Sequence, residues 1–404
     1  MLNTNNEREL AYVVRVNGIE ELPGYDRVES ALVGGWRCIV PKGQFKPGSL
    51  GIYFEIDARV PSDNPAFAFM EKRNYKVKTQ KMCKSISQGL LMAPADFGWV
   101  GCEEPLGTYF ITDGKGHNYF LDDESRFLTK TLGVTYADPE DNSRKAASVD
   151  KYKKMTQRHP NIFKKSWARW LMKRNWGRKV MYFFFGKKKD KKNTWPAWVV
   201  KTDEERVQNM PWILKDKSEW IATEKIDGTS TTFTMKRKGK KFDFYVCSRN
   251  VVFDTPDKAC FYDSNVYLEM SEKYNVKNVL KTILMNDKSL DWVTLQGETY
   301  GAGIQNRDYS IEGHDFAGFN LIDSKNGRWN SIDARKFIEQ YSIPWVPIID
   351  TKFILPDTVE ELLNIATGSS ILDGKEREGI VFRSCDGVKS FKAVSNSYLL
   401  SYHS

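Results

Sequence analysis

The sequence predicts a multi-domain protein in three parts: an N-terminal all-β barrel (1–135), a basic helical insertion (136–194) and a C-terminal α+β domain (195–404). The first observation is length, since 404 residues are enough for two or three domains of roughly 150 residues each. The second is the distribution of charge, because residues 144–192 carry 18 Lys and Arg against two Asp. The third is a change of pattern after residue 195, from short strands broken by turns to mixed helices and strands.

The net charge of +9 comes from the basic block, because residues 144–192 alone contribute +16 and the rest of the chain sums to −7. Such a block is typical of a protein that brings an anionic partner to one place, whereas the evenly basic composition of a histone is excluded. No apolar run approaches the roughly 18 residues of a membrane span, and the chain does not open with a signal-peptide pattern. The six cysteines and four histidines do not have zinc-site spacings. We therefore expect a monomeric cytoplasmic protein with reduced thiols; a nuclear location stays open.

Short apolar segments separated by turn residues predict the N-terminal barrel. Residues 11–16, 37–40 and 51–56 have the β-branched and aromatic content of strands, with Pro-Gly pairs between them. About five such strands favour the OB type of barrel, which commonly handles nucleic acid. Residues 72–78, KRNYKVK, alternate cations with apolar residues and predict a further strand. Its face either meets a phosphate backbone or is a solvated edge protected by lysines.

A basic stretch rich in aromatic residues follows a polar linker. Four apolar residues recur at helical spacing: Phe163, Trp167, Trp170 and Leu171. Lysines and arginines take the remaining positions, so an amphipathic basic helix is predicted. Further aromatic residues follow at 176 and 182–185, and residues 187–192 form a charge run that also resembles a nuclear import signal. Nucleic-acid contact, a helix lying on a membrane surface and a helix packed on a neighbouring domain all remain open as interpretations.

The motif that stands out in the C-terminal domain is residues 223–230, TEKIDGTS. Common phosphate-binding and hydrolase motifs are missing from the sequence, which has no GxxxxGK[ST], no complete GxGxxG, no HExxH and no GxSxG. Lys225 and Asp227, two apart on a strand, would point to one face, and Gly228 permits a turn or the close approach of a ligand. A lysine in this position can attack a phosphoryl centre if burial or nearby cations lower the pKa of its amine.

Further motifs follow this one in a fixed order. They lie at residues 247–250 (CSRN), 295–301 (LQGETYG), 319–323 (FNLID), 377–383 (REGIVFR) and 389–392 (KSFK). Together with residues 223–230 they resemble motifs I, Ia, III, IIIa, IV and V of the covalent nucleotidyltransferases, the superfamily of DNA ligases, RNA ligases and mRNA capping enzymes. Six motifs in order are far more specific than any one of them. The resemblance implies that the α+β domain is a nucleotidyltransferase domain with an ATP-grasp-like ligase fold.

The resemblance also implies roles for individual residues. Lys225 would be the nucleophile that attacks the α-phosphate of ATP, with Asp227 and Lys392 as the other catalytic residues. Mg²⁺ or Mn²⁺ would be held by Asp227, Glu298 and Glu378, directly or through water. The nucleotide contacts, to ribose, adenine and phosphates, would come from Glu224, Arg249, Glu298, Phe319, Lys392, Arg206 and Lys389.

The order of the modules points to one branch of the superfamily. Since only residues 393–404 follow Lys392, we expect no C-terminal domain of the kind found in DNA ligases, capping enzymes and nick-sealing phage RNA ligases. Roughly residues 10–130 and 195–400 resemble the ATP-dependent RNA ligases that carry an OB domain ahead of the adenylyltransferase domain. Those enzymes join RNA 3′-OH ends to 5′-phosphates, including at nicks in duplexes, through lysyl-AMP and 5′-adenylylated RNA.

Two features depart from the family pattern. Motif V usually reads KxK, but Ser390 and Val394 flank Lys392, which leaves Lys389 as the other nearby cation. The basic block has no counterpart in the resemblance. The enzymatic alternatives are an ATP-dependent DNA ligase and a capping-type guanylyltransferase, and the non-catalytic alternative is a nucleic-acid-binding protein with a vestigial transferase domain.

Overall fold

The computed structural model describes residues 1–5, 7–103, 107–137, 155, 160–185, 195–201, 204–253, 262 and 264–402. The predicted polar linker at 138–144 and the charge run at 187–192 lie outside these residues. Of the helices in the described ranges, none is long and apolar enough to cross a membrane.

Short antiparallel strands make up the N-terminal part of the chain. They are β1 Ala11–Arg15, β2 Gly18–Glu21, β3 Val28–Val33, β4 Trp36–Pro41, β5 Leu50–Phe54, β6 Ala58–Arg59, β7 Gln80–Met82, β8 Ser85–Ser87, β9 Leu90–Met92, β10 Val100–Glu103, β11 Tyr109–Thr112, β12 Asn118–Phe120 and β13 Thr135–Tyr136. The sheets have the strand orders β1-β5-β9, β2-β3-β4 and β10-β11-β12, with the pairs β6-β13 and β7-β8. Three 3-10 helices lie among them, at Pro65–Arg73, Pro94–Phe97 and Glu124–Arg126.

The β1–β5 pair lies between two apolar cores. Ala11 and Val13 pack in one core with Phe54, whereas Tyr12 packs in the other with Tyr53. A strand covered on both faces has a continuous apolar sequence, which is why this segment is recognisable from residues alone. The predicted all-β character of the N-terminal domain is confirmed.

Residues 72–78 do not form a strand, and that prediction is wrong. A 3-10 helix covers Pro65–Arg73, and the Ala66 N–H donates a hydrogen bond to Asn64 Oδ1 at 3.0 Å to cap its start. Asn74 takes a left-handed φ of 50° and ends the helix. The Asn-Pro start signal outweighs the alternation of cations and apolar residues.

The described part of the basic insertion contains three helices, α1 Pro160–Phe163, α2 Ser166–Met172 and α3 Asn175–Phe185. Phe163, Ala168 and Met181 form their core, and the members of that core in the described chain all come from residues 155–185. The sequence predicted Trp167 and Trp170 on the same apolar face as Phe163, but both indoles are exposed. The reason is the break at residues 164–165, which interrupts the helical phase between α1 and α2.

The C-terminal domain is built on two antiparallel sheets, with the strand orders β21-β14-β22-β23 and β17-β16-β15-β18-β19-β20. The strands are β14 Glu219–Lys225, β15 Thr229–Lys238, β16 Lys241–Cys247, β17 Val252–Phe253, β18 Trp292–Gly301, β19 His314–Asp323, β20 Gly327–Arg328, β21 Ile348–Ile354, β22 Gly379–Ser384 and β23 Ser390–Val394. The helices are α4 Val266–Lys273, α5 Val276–Asn286, α6 Ser331–Glu339, α7 Val359–Ala366 and α8 Asn396–Tyr402, with 3-10 helices at Val207–Asn209 and Pro211–Lys215. Helices α4, α5 and α6 pack on the six-stranded sheet and α7 packs on the four-stranded one, so the predicted α+β class is confirmed.

The chain passes from one sheet to the other at residues 226–228, between β14 and β15. Lys225 at the end of β14 pairs with Gly379 of β22, while Ser230 of β15 pairs with Glu298 of β18. Because both sheets meet at this crossing, side chains from both converge around Lys225.

The N-terminal domain packs against the C-terminal domain beside β23. Ile86 shares an apolar cluster with Val394 and Leu399. Lys81 Nζ donates a hydrogen bond to the Leu400 carbonyl at 3.0 Å. The two domains therefore share a packed boundary.

A two-glycine turn brings the β3–β4 hairpin to this boundary. Gly34 and Gly35 have φ values of 54° and 83°, as a type I′ turn requires. A Cβ at Gly35 would lie 2.4 Å from Val359 Cγ1 and 3.2 Å from Gln208 Cγ. A side chain at Gly35 would therefore push the domains apart.

Candidate active site

A cavity of about 310 Å³ opens where the two sheets meet. Its lining includes seven of the residues singled out in the sequence: Glu224, Lys225, Asp227, Arg249, Glu298, Phe319 and Lys392. The volume is at the lower end of the range for small-molecule sites, roughly 300–1,000 Å³. The structure thus brings motifs spread over the whole C-terminal domain to one place.

Lys225 is held by a carboxylate. Its Nζ donates a hydrogen bond to Glu378 Oε2 at 2.6 Å. Burial lowers the pKa of Lys225, but the negative charges of Glu378, Glu298 and Asp227 outweigh burial, and the net pKa is raised above its ordinary value. Lys225 therefore rests as an ammonium ion, which has no lone pair for nucleophilic attack.

Carboxylates are in excess around this amine. Burial raises the pKa of Glu298 to about 8, with Glu378 and Asp227 adding to the rise and Lys225 opposing it. A site in which carboxylates repel one another in this way favours the binding of a cation.

The donor set fits Mg²⁺ or Mn²⁺. Within the described ranges, no three Asp, Glu, His or Cys side chains form a group that could hold a metal by themselves. Mg²⁺ in particular is usually bound by one or two carboxylates together with waters and substrate phosphates, which does not require such a group. That Asp227, Glu298 and Glu378 serve as metal ligands stays a prediction.

Two tyrosines fix the position of Asp227. The Asp227 N–H donates to Tyr309 Oη at 2.6 Å, and Tyr398 Oη donates to Asp227 Oδ2 at 2.9 Å. Arg307 lies 4.3 Å from the Tyr309 ring centroid, hydrogen-bonds Tyr398 and pairs with Asp373 Oδ1 at 2.5 Å. Sequence reasoning missed these tyrosines, because they lie 82 and 171 residues from Asp227 along the chain and no local motif marks them.

Gly228 allows two strands to pass closely. A Cβ at this position would lie 2.4 Å from the Thr299 carbonyl oxygen and 2.9 Å from Glu298 Cγ. The close approach expected at Gly228 is therefore made by the neighbouring strand β18.

The other end of the cavity combines an aromatic ring with a buried arginine. The Arg383 guanidinium lies 5.5 Å from the centroid of Phe319. It donates to Asn320 Oδ1 at 3.2 Å and to Thr223 Oγ1 at 3.1 Å, and it faces Glu204 Oε1 at 3.5 Å. Burial lowers the pKa of Arg383 to about 10. Sequence reasoning gave Arg383 no role, although a cation inside the buried strand GIVFRS was an available signal.

Glu224 lines the cavity, but its carboxylate already has partners. The Ile371 N–H donates to Glu224 Oε2 at 2.8 Å, and the Ser370 hydroxyl donates to Oε1. Burial raises the pKa of Glu224. The side chain thus ties β14 to the loop that precedes β22.

Two predicted nucleotide contacts do not line the cavity. Lys389 Nζ donates to Asp216 Oδ2 at 2.9 Å, outside the cavity. Arg206 lies 5.7 Å from the ring centroid of Trp36 in the N-terminal domain, and its backbone forms a bridge with Lys392. Its Nη1 is buried and has no hydrogen-bond partner among the described residues.

Comparisons with known proteins agree with this arrangement. Residues 218–394 match the family model described as RNA ligase, and residues 10–94 match an OB-fold domain. No curated protein matches the chain at a significant level.

Solved structures of one enzyme are similar over nearly the whole chain. The Naegleria gruberi RNA ligase with PPi is 25% identical, the match covers 98% of this chain and 99% of that one, and the TM-score is 0.63. A mutant of that ligase with AMP and Mn is 25% identical, with coverage of 97% and 98% and a TM-score of 0.62. A mutant with ATP and Mn is 25% identical, with coverage of 97% and 98% and a TM-score of 0.63. The family match runs from the strand that ends in Lys225 to the strand that carries Lys392, so residues 218–394 form an RNA ligase domain, and an OB-fold domain lies ahead of it.

Proposed function

We propose that this protein joins an RNA 3′-OH to a 5′-phosphate with ATP, through a Lys225–AMP intermediate. The observation that carries the proposal is the position of Lys225 in the ligase domain, where the chain crosses between two sheets and carboxylates from both surround its amine. The Naegleria gruberi structures with ATP, AMP and Mn support ATP as the AMP donor and a divalent metal as cofactor.

In the first step, Lys225 Nζ forms a bond to the α-phosphorus, the α–β phosphoanhydride bond breaks, and pyrophosphate leaves. Lys225 must first lose a proton, and Glu378 Oε2 lies 2.6 Å from its nitrogen. When bound to Asp227, Glu298 or Glu378, a divalent cation would offset the negative charge that keeps the pKa of Lys225 high. The same carboxylates would therefore hold the Lys225 ammonium in place at rest, and Glu378 Oε2 is placed to accept the proton that the amine loses before it attacks.

The remaining residues of the cavity account for nucleotide binding. Phe319 would stack on adenine, Arg249 and Glu298 would contact the ribose, and Lys392 would meet the α-phosphate. Arg206 lies outside the cavity lining, but its backbone bridges to Lys392 and its buried Nη1 has no hydrogen-bond partner in the described chain, so it would suit a terminal phosphate oxygen that extends beyond the lining. Lys389 has no part in this scheme.

RNA enters in the second and third steps. An oxygen of the RNA 5′-phosphate attacks the phosphorus of Lys225–AMP, and the P–N bond breaks to give 5′-adenylylated RNA. The 3′-OH of the other end then attacks the 5′-phosphate, and AMP leaves. The OB-fold domain, a type that commonly binds nucleic acid, packs beside β23 and offers a surface for RNA near the cavity. We also propose that the enzyme seals nicks in duplexes. We propose a monomer as its active form.

Labelling with ATP tests the first step. Protein stripped of bound AMP is incubated with α-labelled ATP and Mg²⁺ or Mn²⁺, alongside Lys225→Ala and the matched control Lys277→Ala on the exposed side of α5. Wild type and Lys277→Ala should become labelled, and Lys225→Ala should not. Wild-type protein that stays unlabelled with ATP would refute the proposal. If a parallel sample with α-labelled GTP became labelled instead, a capping-type enzyme would be favoured.

Sealing assays test the substrate. Nicked duplexes with RNA or DNA on the 3′-OH side are compared after labelling at Lys225 has been shown. Sealing should require RNA at the 3′-OH side or proceed much faster with it. Equal sealing of all-DNA nicks would replace the RNA assignment with a DNA ligase.

A further inference from the structure

The helices of the basic insertion expose tryptophans that the ligase reaction does not use. Trp167 and Trp170 of α2 and Trp176 of α3 are 49%, 51% and 56% exposed. The Trp170 and Trp176 rings meet edge to face with centroids 6.4 Å apart. Contiguous apolar surface on a soluble protein usually marks a binding site.

The exposed residues of α3 continue this surface along one side of the helix. Trp176, Val180 and Phe184 follow at intervals of four residues, which places them on one face, and Met181 points into the small core. From Trp176 to Phe184 the row is about 12 Å long at about 1.5 Å per residue. We define Trp167, Trp170, Trp176, Val180 and Phe184 as the aromatic patch.

Exposed cations lie on the same helices as the aromatic patch. Residues 160–185 contain seven Lys and Arg and no Asp or Glu. All seven are exposed: Lys164, Lys165, Arg169, Lys173, Arg174, Arg178 and Lys179. The Arg174 guanidinium lies 3.7 Å from the Trp170 ring centroid. Cations interleaved with aromatic rings are the composition of sites for single-stranded nucleic acid, where cations meet phosphates and rings stack on bases.

The alternative occupants fit less well. The helices bury Phe163, Ala168 and Met181 among themselves, and within the described residues this core has no member from another domain. In a helix that lies on a membrane, the cations take the face opposite the apolar one. Here Arg174 lies directly over an indole ring, so charge and aromatic surface occupy the same side.

We infer that the aromatic patch binds a single-stranded segment of the RNA, by stacking on its bases outside the cavity. The inference rests on the proposed function for the identity of the nucleic acid. A row of about 12 Å corresponds to about three or four nucleotides at roughly 3.4 Å each. The patch thereby holds the RNA strand through contacts that are independent of Lys225.

The test measures binding of a labelled oligouridylate of about 20 nucleotides to the full-length protein by fluorescence anisotropy. In the variant Trp167→Ala/Trp170→Ala/Trp176→Ala, the loss of two stacked bases should weaken binding by about 30-fold or more. Trp212→Ala, which removes a tryptophan of similar exposure (44%) in the ligase domain, is the matched control and should bind as wild type does.

A second variant keeps every ring in case the tryptophan variant does not fold. Lys164→Gln/Lys173→Gln/Lys179→Gln should lower the slope of log affinity against log salt by about 2, since each phosphate contact on a single strand contributes about 0.7. Unchanged affinity of a folded tryptophan variant would overturn the inference, and an unchanged slope would overturn it if the tryptophan variant does not fold. Binding of wild type, but not of the tryptophan variant, to phosphatidylserine vesicles with RNA affinity unchanged would assign the patch to a membrane and overturn it as well.

Self-adenylylation is measured on the same samples without RNA. This measurement distinguishes a failure of the proposed ligase function from a failure of the proposed RNA-binding patch. Unlabelled wild type refutes the proposed ligase, whereas labelled protein that binds RNA equally with and without the three tryptophans refutes the patch.

Discussion

Replacing Tyr398 with phenylalanine removes the hydroxyl that hydrogen-bonds Asp227 and Arg307. The change deletes the hydroxyl that donates to Asp227 Oδ2 at 2.9 Å and keeps the ring, whose centroid lies 4.5 Å from that of Tyr402. A hydrogen bond to a charged group contributes about 1.5–3 kcal/mol. If this bond places Asp227 for the attack of Lys225, the rate of adenylylation should fall by about 10- to 150-fold.

The assay is single-turnover labelling of Lys225 with α-labelled ATP at saturating ATP and metal, well below the melting temperature of the variant. Tyr402→Phe is the matched control, because it removes the hydroxyl of the other ring in the stack and leaves the bond to Asp227 intact. Its rate should stay within about twofold of wild type, because the substitution keeps the ring and does not touch Asp227.

A double-mutant cycle locates the effect. In an Asp227→Asn background, Tyr398→Phe should cause little further loss, because residues joined by a hydrogen bond are energetically coupled. A wild-type rate for Tyr398→Phe alone would refute the positioning role. An undiminished loss in the Asp227→Asn background would instead assign the effect to Arg307, the other partner of Tyr398.

Three further predictions follow from the site. Glu298 has a pKa of about 8 in the folded protein, above that of an unfolded glutamate, so metal-free stability should fall as pH rises between about 5 and 8; melting curves should show this slope in wild type and a weaker one in Glu298→Gln. Gly228→Ala should slow adenylylation by on the order of 100-fold and destabilise the protein by about 1–3 kcal/mol, because its Cβ would lie 2.4 Å from the Thr299 oxygen; labelling at the wild-type rate would contradict this. Lys389→Ala should label at a rate within about twofold of wild type, because Lys389 is paired with Asp216 outside the cavity; a loss of tenfold or more would restore it as a phosphate contact.

The cavity was predictable because its residues stand on or beside strands and lie within short motifs. Lys225, Glu298 and Lys392 stand on three strands that the sequence marks by apolar residues around a charge, and the resemblance of the ordered motifs to covalent nucleotidyltransferases implied that the three residues share one site. The OB-fold domain was predictable for a similar reason, since its central strands are continuous apolar runs.

Other features depend on contacts that sequence spacing does not show. Tyr309 and Tyr398 reach Asp227 from distant segments, and Lys389 is drawn to Asp216 by an ion pair across 173 residues of chain. The exposure of Trp167 and Trp170 could not be read from helical spacing, because a break of two residues decides which face of α2 is covered. In each case tertiary geometry overrides a local pattern.

Because of the two-glycine turn at Gly34 and Gly35, the N-terminal domain cannot easily be replaced by another OB-fold domain. A fragment that begins at residue 195 would leave Gln208 and Val359 uncovered where the hairpin lies against them, and Arg206 would lose the Trp36 ring beside it. Removing the N-terminal domain would therefore change the surroundings of Arg206, which is proposed to bind ATP, although the sequence of the ligase domain stays the same. A chimera with another N-terminal domain would need the same small turn against Val359 and Gln208 and the same indole beside Arg206.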